Sequence, residues 1–412
     1  MVHFFSLSSG PLPRLYIGTP IADMLAHSPL LPLIVDYVDD NRDVSAEDGE
    51  GILLALLRCH RVRRVRLRTP VPKPQKSIMV MDEEYPVLEY LILVPTEDSA
   101  ALILPERLQA PHLRHLVLEG FAIPIGPRLL TTAVDLVMLV IVAPYPSTYF
   151  EPNILLQWLS FMPQLEKLLI TILFSVPDHD VEMQHMHTPI MTQVALPDLR
   201  WFVFRGVSAY IEAVVRRITA PRLEILGIRF FKQLTFSVPC LLQFMNTIQN
   251  FRFNSAKFVF ARDDVHEEVH PREELEMHVF QIHVDCWHLD WQVSSMAQIF
   301  NMLSQIFSAV EHLALEHEVY SPSSEEHNEV DRTELRKLLR SFKTVNNLHV
   351  DDALVKELAR SLLPEDGELP PELLLELQEV AYSGNDDTGD AFTSFIDARQ
   401  SAGRPVTLIR LE

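Results

Sequence analysis

A chain of 412 residues, 48% of them hydrophobic, carries apolar surface enough for two or three globular domains, or for one unit whose core grows along a single axis. A net charge of −21 repels phosphates and excludes nucleic acid as the expected partner. Three scattered cysteines (Cys59, Cys240, Cys286) do not make a disulfide framework, and no apolar run is long enough to span a membrane, so a reducing cytoplasmic or nuclear setting is expected.

Residues 1–17 show no copy of the repeat that follows, and MVHFFSLSSG lacks the basic start of a secretory signal. Residues 18–58 read as an N-terminal cap: PLLPLIVDYVDD (29–40) is an opening strand, and ILLALLRCH (52–60) is helix-like. From 59 to 355 one phrase returns: proline, any residue, leucine, two of any kind, apolar, any, apolar. Its copies are YPVLEYLIL (85–93), APHLRHLVL (110–118), MPQLEKLLI (162–170), LPDLRWFVF (196–204) and APRLEILGI (220–228). CHRVRRVRL (59–67), AVDLVMLVI (133–141), FSAVEHLAL (307–315) and FKTVNNLHV (342–350) are copies without the proline; HVFQIHV and LQEVAY are degenerate members.

The first anchors fall at Val62, Leu88, Leu113, Leu136, Leu165, Leu199, Leu223, Val279, Val310, Val345 and Leu377. Most are roughly 23–35 residues apart, a leucine-rich-repeat spacing. Helical periodicity fills the gaps in NILLQWLSFM, AYIEAVVRRI, PCLLQFMNTI and SMAQIFNMLSQIF. Residues 356–412 complete the repeats and cap them: LPPELLLEL (369–377) reads as a repeat helix, GDAFTSFIDARQSAGRPVTLIRLE as a closing helix with a stop at Gly403 and a last strand from Val406. EHEVYSPSSEEHNEVDRTE (316–334) and LLPEDGELPP (362–371) read as acidic surface loops.

Alternate strand residues face opposite ways, so Leu116 and Leu118 enter the core while His115, Val117 and Glu119 face out. One strand and one helix per repeat then give an α/β fold: an irregular leucine-rich-repeat-like solenoid over residues 18–412. This is a right-handed horseshoe with parallel strands on the concave face and helices on the convex one.

From GTPIADMLAHSPLLPLIVDY to AFTSFIDARQSAGRPVTL the chain resembles the leucine-rich-repeat region of F-box proteins of mushroom-forming fungi. The resemblance implies a substrate receptor of a cullin–RING ubiquitin ligase, docked through a Skp-type linker and holding its protein client in the horseshoe. Residues 1–17 are too short for an F-box, so linker and cullin are expected only where one is supplied upstream. The alternative is a stand-alone binding protein without linker docking, a monomer outside its complex.

VHEEVHP (265–271) matches the zinc-protease pattern H-E-x-x-H, with His266 and His270 as ligands and Glu267 as base. Its surroundings are charged and Pro271 disfavours a helix at His270, so the stretch is expected to be a solvated connection rather than a metalloprotease centre. In VFQIHVDCW, Cys286 should point inward and His283, Asp285 and Trp287 outward, which keeps thiol and imidazole from sharing a metal. No catalytic, cofactor-binding or metal-binding residue is assigned.

The expected binding surface is the concave sheet face. It begins basic (Arg64, Arg66, Arg68) and becomes apolar and aromatic (Tyr90, Ile92, Met138, Val140, Leu169, Trp201, Val203, Ile225), with Arg205 and Arg229 at the next positions. It ends polar and acidic (His283, Asp285, Glu316, His349, Asp351). Trp201, Arg205 and Arg229 are the expected anchors of a protein client, because exposed Trp, Tyr and Arg most often dominate interface energetics.

Overall fold

The computed structural model describes residues 25, 31–38, 46–69, 78–95, 101–124, 126–174, 193–231, 233, 235–248, 251, 253–261, 264–270, 279–318, 331–363, 373–383 and 389–411. The proline phrase is a tight corner. In YPVL the Leu88 amide donates to the Tyr85 carbonyl at 3.2 Å; Leu113 to Ala110 (3.0 Å), Leu165 to Met162 (3.2 Å) and Leu223 to Ala220 (3.2 Å) repeat the bond. Proline thus occupies the second position of a four-residue turn, where its fixed φ is the one required and no donor is lost. Leu136 to Ala133 (3.3 Å) and Val310 to Phe307 (3.1 Å) close the same turn without proline. Both ends of each turn are fully buried.

The turn feeds straight into a ladder. Arg114 and His115 both donate to the Glu89 carbonyl (2.9 and 3.1 Å), and Val137 and Met138 to that of Arg114 (2.9 and 3.0 Å). One carbonyl per repeat therefore receives the first two amides of the next.

Two compact units result, residues 1–174 with 194–199 and residues 175–193 with 200–412. The first contains β1 (Leu33–Val38), β2 (Val62–Thr69), β3 (Tyr90–Pro95), β4 (Leu102–Ile103), β5 (His115–Glu119), β6 (Phe121–Ala122), β7 (Met138–Ala143), β8 (Lys167–Ile172) and β9 (Val194–Ala195). Its helices are α1 (Ala46–Leu56), α2 (Arg128–Thr132) and α3 (Pro152–Leu159). Strands β1, β2, β3, β5, β7 and β8 pair in that order, all parallel. The described part of the connection between β3 and β5, residues 101–114, runs through turns and β4 with no helix, where one helix per repeat was expected. Pro105 and Pro111 interrupt that part.

The second unit contains β10 (Trp201–Gly206), β11 (Ile218–Thr219), β12 (Ile225–Phe230), β13 (Ser255–Phe260), β14 (Val265–His270), β15 (Val279–Val284), β16 (His312–His317), β17 (Asn347–Val350), β18 (Glu379–Ser383) and β19 (Thr407–Leu411). Its helices are α4 (Ser208–Val215), α5 (Pro239–Thr247), α6 (Leu289–Leu303), α7 (Arg332–Leu339), α8 (Asp352–Leu362) and α9 (Thr393–Ser401). α4 packs on α5, α6 on α7 and α7 on α8. α9 ends as expected at Gly403: φ is +73°, Gly403 donates to Gln400 (3.0 Å) and Arg404 to Arg399 (2.9 Å), bonds that require a left-handed residue between them.

The strand order in this unit is β10, β12, β15, β14, β13, β16, β17, β18, β19. β14 runs antiparallel between β15 and β13; every other pairing is parallel. The chain leaves β12, crosses two places, and folds back through β13, β14 and β15. The stretch expected as a solvated connection is therefore β14, an interior strand, and Glu267 on it is fully buried.

Val279, taken as an anchor, instead lies beside Ile225 on the outward side of β15. Phe253 holds the anchor place for β13: it is 1% exposed, and the Asn254 carbonyl after it receives the Glu311 and His312 amides. Phe253, Phe258 and Phe280 from the meander then stack into one core with Phe300, Phe307 and Phe342. Each such ring contributes roughly 1.5–3 kcal/mol by burial.

LPPELLLEL is corrected as well. Residues 373–377 form another corner, with Leu374 at φ +47° and Leu377 bonded back to it at 3.0 Å, so no helix continues there. Residues 1–17, 319–330 and 364–372, where the N-terminal segment and most of the acidic loops fall, lie outside the described residues.

Candidate protein-binding surfaces

In each unit the strands alternate buried positions on one side with half-buried positions on the other. The other side offers two groups of side chains.

On the first unit, β2 presents Arg64 and Arg66, half-buried, and Arg68, exposed. Arg64 lies in register with Tyr90, Arg66 with Ile92 and Arg68 with Val94. The Arg64 guanidinium covers the Tyr90 ring at 4.5 Å, and His115 meets that ring at 5.2 Å. Burial holds the His115 imidazole below its ordinary pKa, with Arg114, Arg64 and Lys167 adding to the effect. Beyond Arg66 the register continues as Ile92, Val117, Val140 and Leu169, four apolar side chains in one row across four strands. Glu119 closes one edge, its carboxyl raised by burial against the opposing pull of Arg68.

On the second unit, Trp201 lies beside Ile225 and Ile225 beside Val279; Val203 faces Gly227; Arg205, Arg229, His283 and His266 form the next row. Trp201 is half-buried. Arg205 and Arg229 are engaged by carboxylates of their own chain. Asp285 accepts from Arg229 Nε at 2.7 Å and from Arg205 Nη2 at 3.4 Å, and Asp264 accepts from Arg229 Nη2 at 3.2 Å. Arg205 further covers the Phe231 ring at 5.2 Å. Asp285 is only 13% exposed, so this is a partly desolvated network rather than a rim contact. His283 stacks on His266 at 5.1 Å, and its pKa is pushed down to about 4, first by burial and then by His266 and Arg229.

The exposed tryptophans are elsewhere. Trp287, expected to face out, is 64% exposed; Trp291, on the first turn of α6, is 48% exposed and was missed by a reading confined to strands.

Because H-E-x-x-H is a strand here, the His266 and His270 backbones lie about 13 Å apart, and Glu267 points to the opposite side into the core. A helix would have brought the two histidines onto one metal; a strand does not. Among the described residues no group of three His, Cys, Asp or Glu side chains is placed to hold a metal ion. The Cys286 thiol is buried and pushed up to about 12, by burial first and then by Asp264 and Asp285. Among the described residues no helix is long and apolar enough to cross a membrane. No protein-family model matches this sequence, and no curated protein matches it.

Proposed function

We propose that this chain is a non-catalytic protein-interaction scaffold: an irregular leucine-rich-repeat-like solenoid whose open sheet face holds a protein client, as the substrate-recognition region of an F-box protein does. The reading rests on the row Ile92, Val117, Val140 and Leu169, half-buried apolar side chains aligned in register on the less buried side of the sheet. A contiguous apolar strip that keeps some exposure marks a candidate interaction surface. In the cytoplasm or nucleus such a receptor would reach a Skp-type linker and cullin through an F-box joined to it.

The test is co-purification from cells of the wild-type chain and of the double variant Val140→Asp with Leu169→Asp, both checked for folding by circular dichroism. Clients recovered with the wild type should fall at least tenfold with the variant. A Skp-type linker and cullin among them favour the ligase receptor; clients without them favour the stand-alone binder. Clients retained by the variant overturn the scaffold reading.

A further inference from the structure

Six arginines crowd residues 58–68 of a chain whose net charge is −21. Three of them, Arg64, Arg66 and Arg68, are alternate residues of β2 and leave one side of the sheet about 7 Å apart. Among the described residues no carboxylate closes an ion pair with any of the three, although Glu119 stands near enough to Arg68 to feel its charge. Asp36, in register with Arg66, is not so engaged, and the neighbouring Arg63 is satisfied by Glu89 at 2.9 Å. The second unit follows the opposite rule, since its outward arginines are held by Asp264 and Asp285.

We propose that the arginine column of β2 and the apolar row beside it form one docking site for a protein segment that carries two or three carboxylates at one end of an apolar stretch. This rests on the scaffold reading and names the chemistry of its client. Arg66 is itself the first member of the row, so charge passes directly into Ile92, Val117, Val140 and Leu169 with no polar residue between. From Ile92 to Leu169 the row spans about 15 Å, three inter-strand steps, which suits about three turns of an amphipathic helix or four to five extended residues.

A guanidinium fork takes a carboxylate with two parallel bonds, and apolar contact alongside raises the worth of each bond by excluding water. A nucleic acid would need flat rings for its bases, but Arg64 and His115 already meet the Tyr90 ring, and the rest of the row is aliphatic.

The experiment measures fluorescence anisotropy of a labelled peptide on the full chain. The peptide has three glutamates followed by six residues of leucine, valine and phenylalanine. Controls replace the glutamates by lysine, or move them into the middle of the apolar stretch; a twenty-nucleotide oligothymidylate serves as a non-protein polyanion. The proposal expects the acidic-headed peptide to bind, the lysine peptide not to bind, and the rearranged peptide to bind at least fivefold more weakly. Charge reversal at Arg64, Arg66 and Arg68 together should weaken binding at least tenfold, and raising salt from about 50 to 500 mM several-fold.

Arg66→Gln alone, a milder change, should still cost about threefold, while Arg205→Gln leaves affinity unchanged. Equal binding of the rearranged peptide, or tighter binding of the oligonucleotide with the same arginine dependence, overturns the proposal. So does the absence of peptide binding while Val140→Asp with Leu169→Asp still abolishes client recovery. In that last case the scaffold reading survives and only the acidic class of client is lost.

Discussion

Arg66 and Arg229 occupy like positions, an outward residue in the middle of a parallel strand, yet they meet opposite company. Around Arg229 the chain brings two carboxylates, an imidazole pair and a second guanidinium into a closed set of contacts. Around Arg66 it brings Ile92 on one side and Asp36 on the other, with no ion pair closed to Arg66 among the described residues. The same residue type on the same kind of strand is structural in one place and available in the other. What decides is whether a carboxylate from a distant segment folds back onto it.

Removing the shared carboxylate should show the largest effect. Asp285→Ala leaves Arg205 without its carboxylate and Arg229 with Asp264 alone, and should cost about 2–3 kcal/mol in urea unfolding of the full chain. A loss below about 0.5 kcal/mol would erase the distinction between the two clusters.

The next effect is one of pH. The folded chain binds a proton at His283 only near pH 4, while the unfolded chain binds one near the ordinary 6.5. Between those values the unfolded state holds more protons at this site, so stability falls as pH drops from about 6.5 to about 4 and then levels off. The contribution is at most about 3 kcal/mol, and His283→Gln should flatten that part of the profile relative to the wild type.

The smallest effect is expected in the first unit. Alanine at Arg66 or Arg68 should change stability by no more than about 0.5 kcal/mol each, because no ion pair is broken, and at Arg64 by about 1 kcal/mol at most, through its contact with the Tyr90 ring. A large loss there would mean that the column is structural after all.

The corners were the most legible part of the molecule, because proline before leucine leaves a local mark that needs no knowledge of the rest of the chain. The alternation after each corner likewise told which of Leu116, Val117 and Leu118 would be buried. The meander was illegible for an equally physical reason. β14 reads V-H-E-E-V-H, and its inward set includes Glu267, so the pattern of apolar residues every second place is broken where the strand is most enclosed. Nor could local sequence reveal that Arg205 meets a carboxylate 80 residues away, or Arg229 one 56 residues away. Those pairings depend on β15 returning to lie beside β12.

That return has a consequence for how the architecture tolerates change. β13 and β15 point the same way, with β14 reversed between them. Excising β13 and β14 together would cancel one reversal with another and leave β15 running in the direction that β16 already accepts from β13. The hairpin is thus a cassette of even parity: removing both strands keeps every downstream strand pointing the same way, whereas losing either strand alone would turn everything downstream the wrong way round.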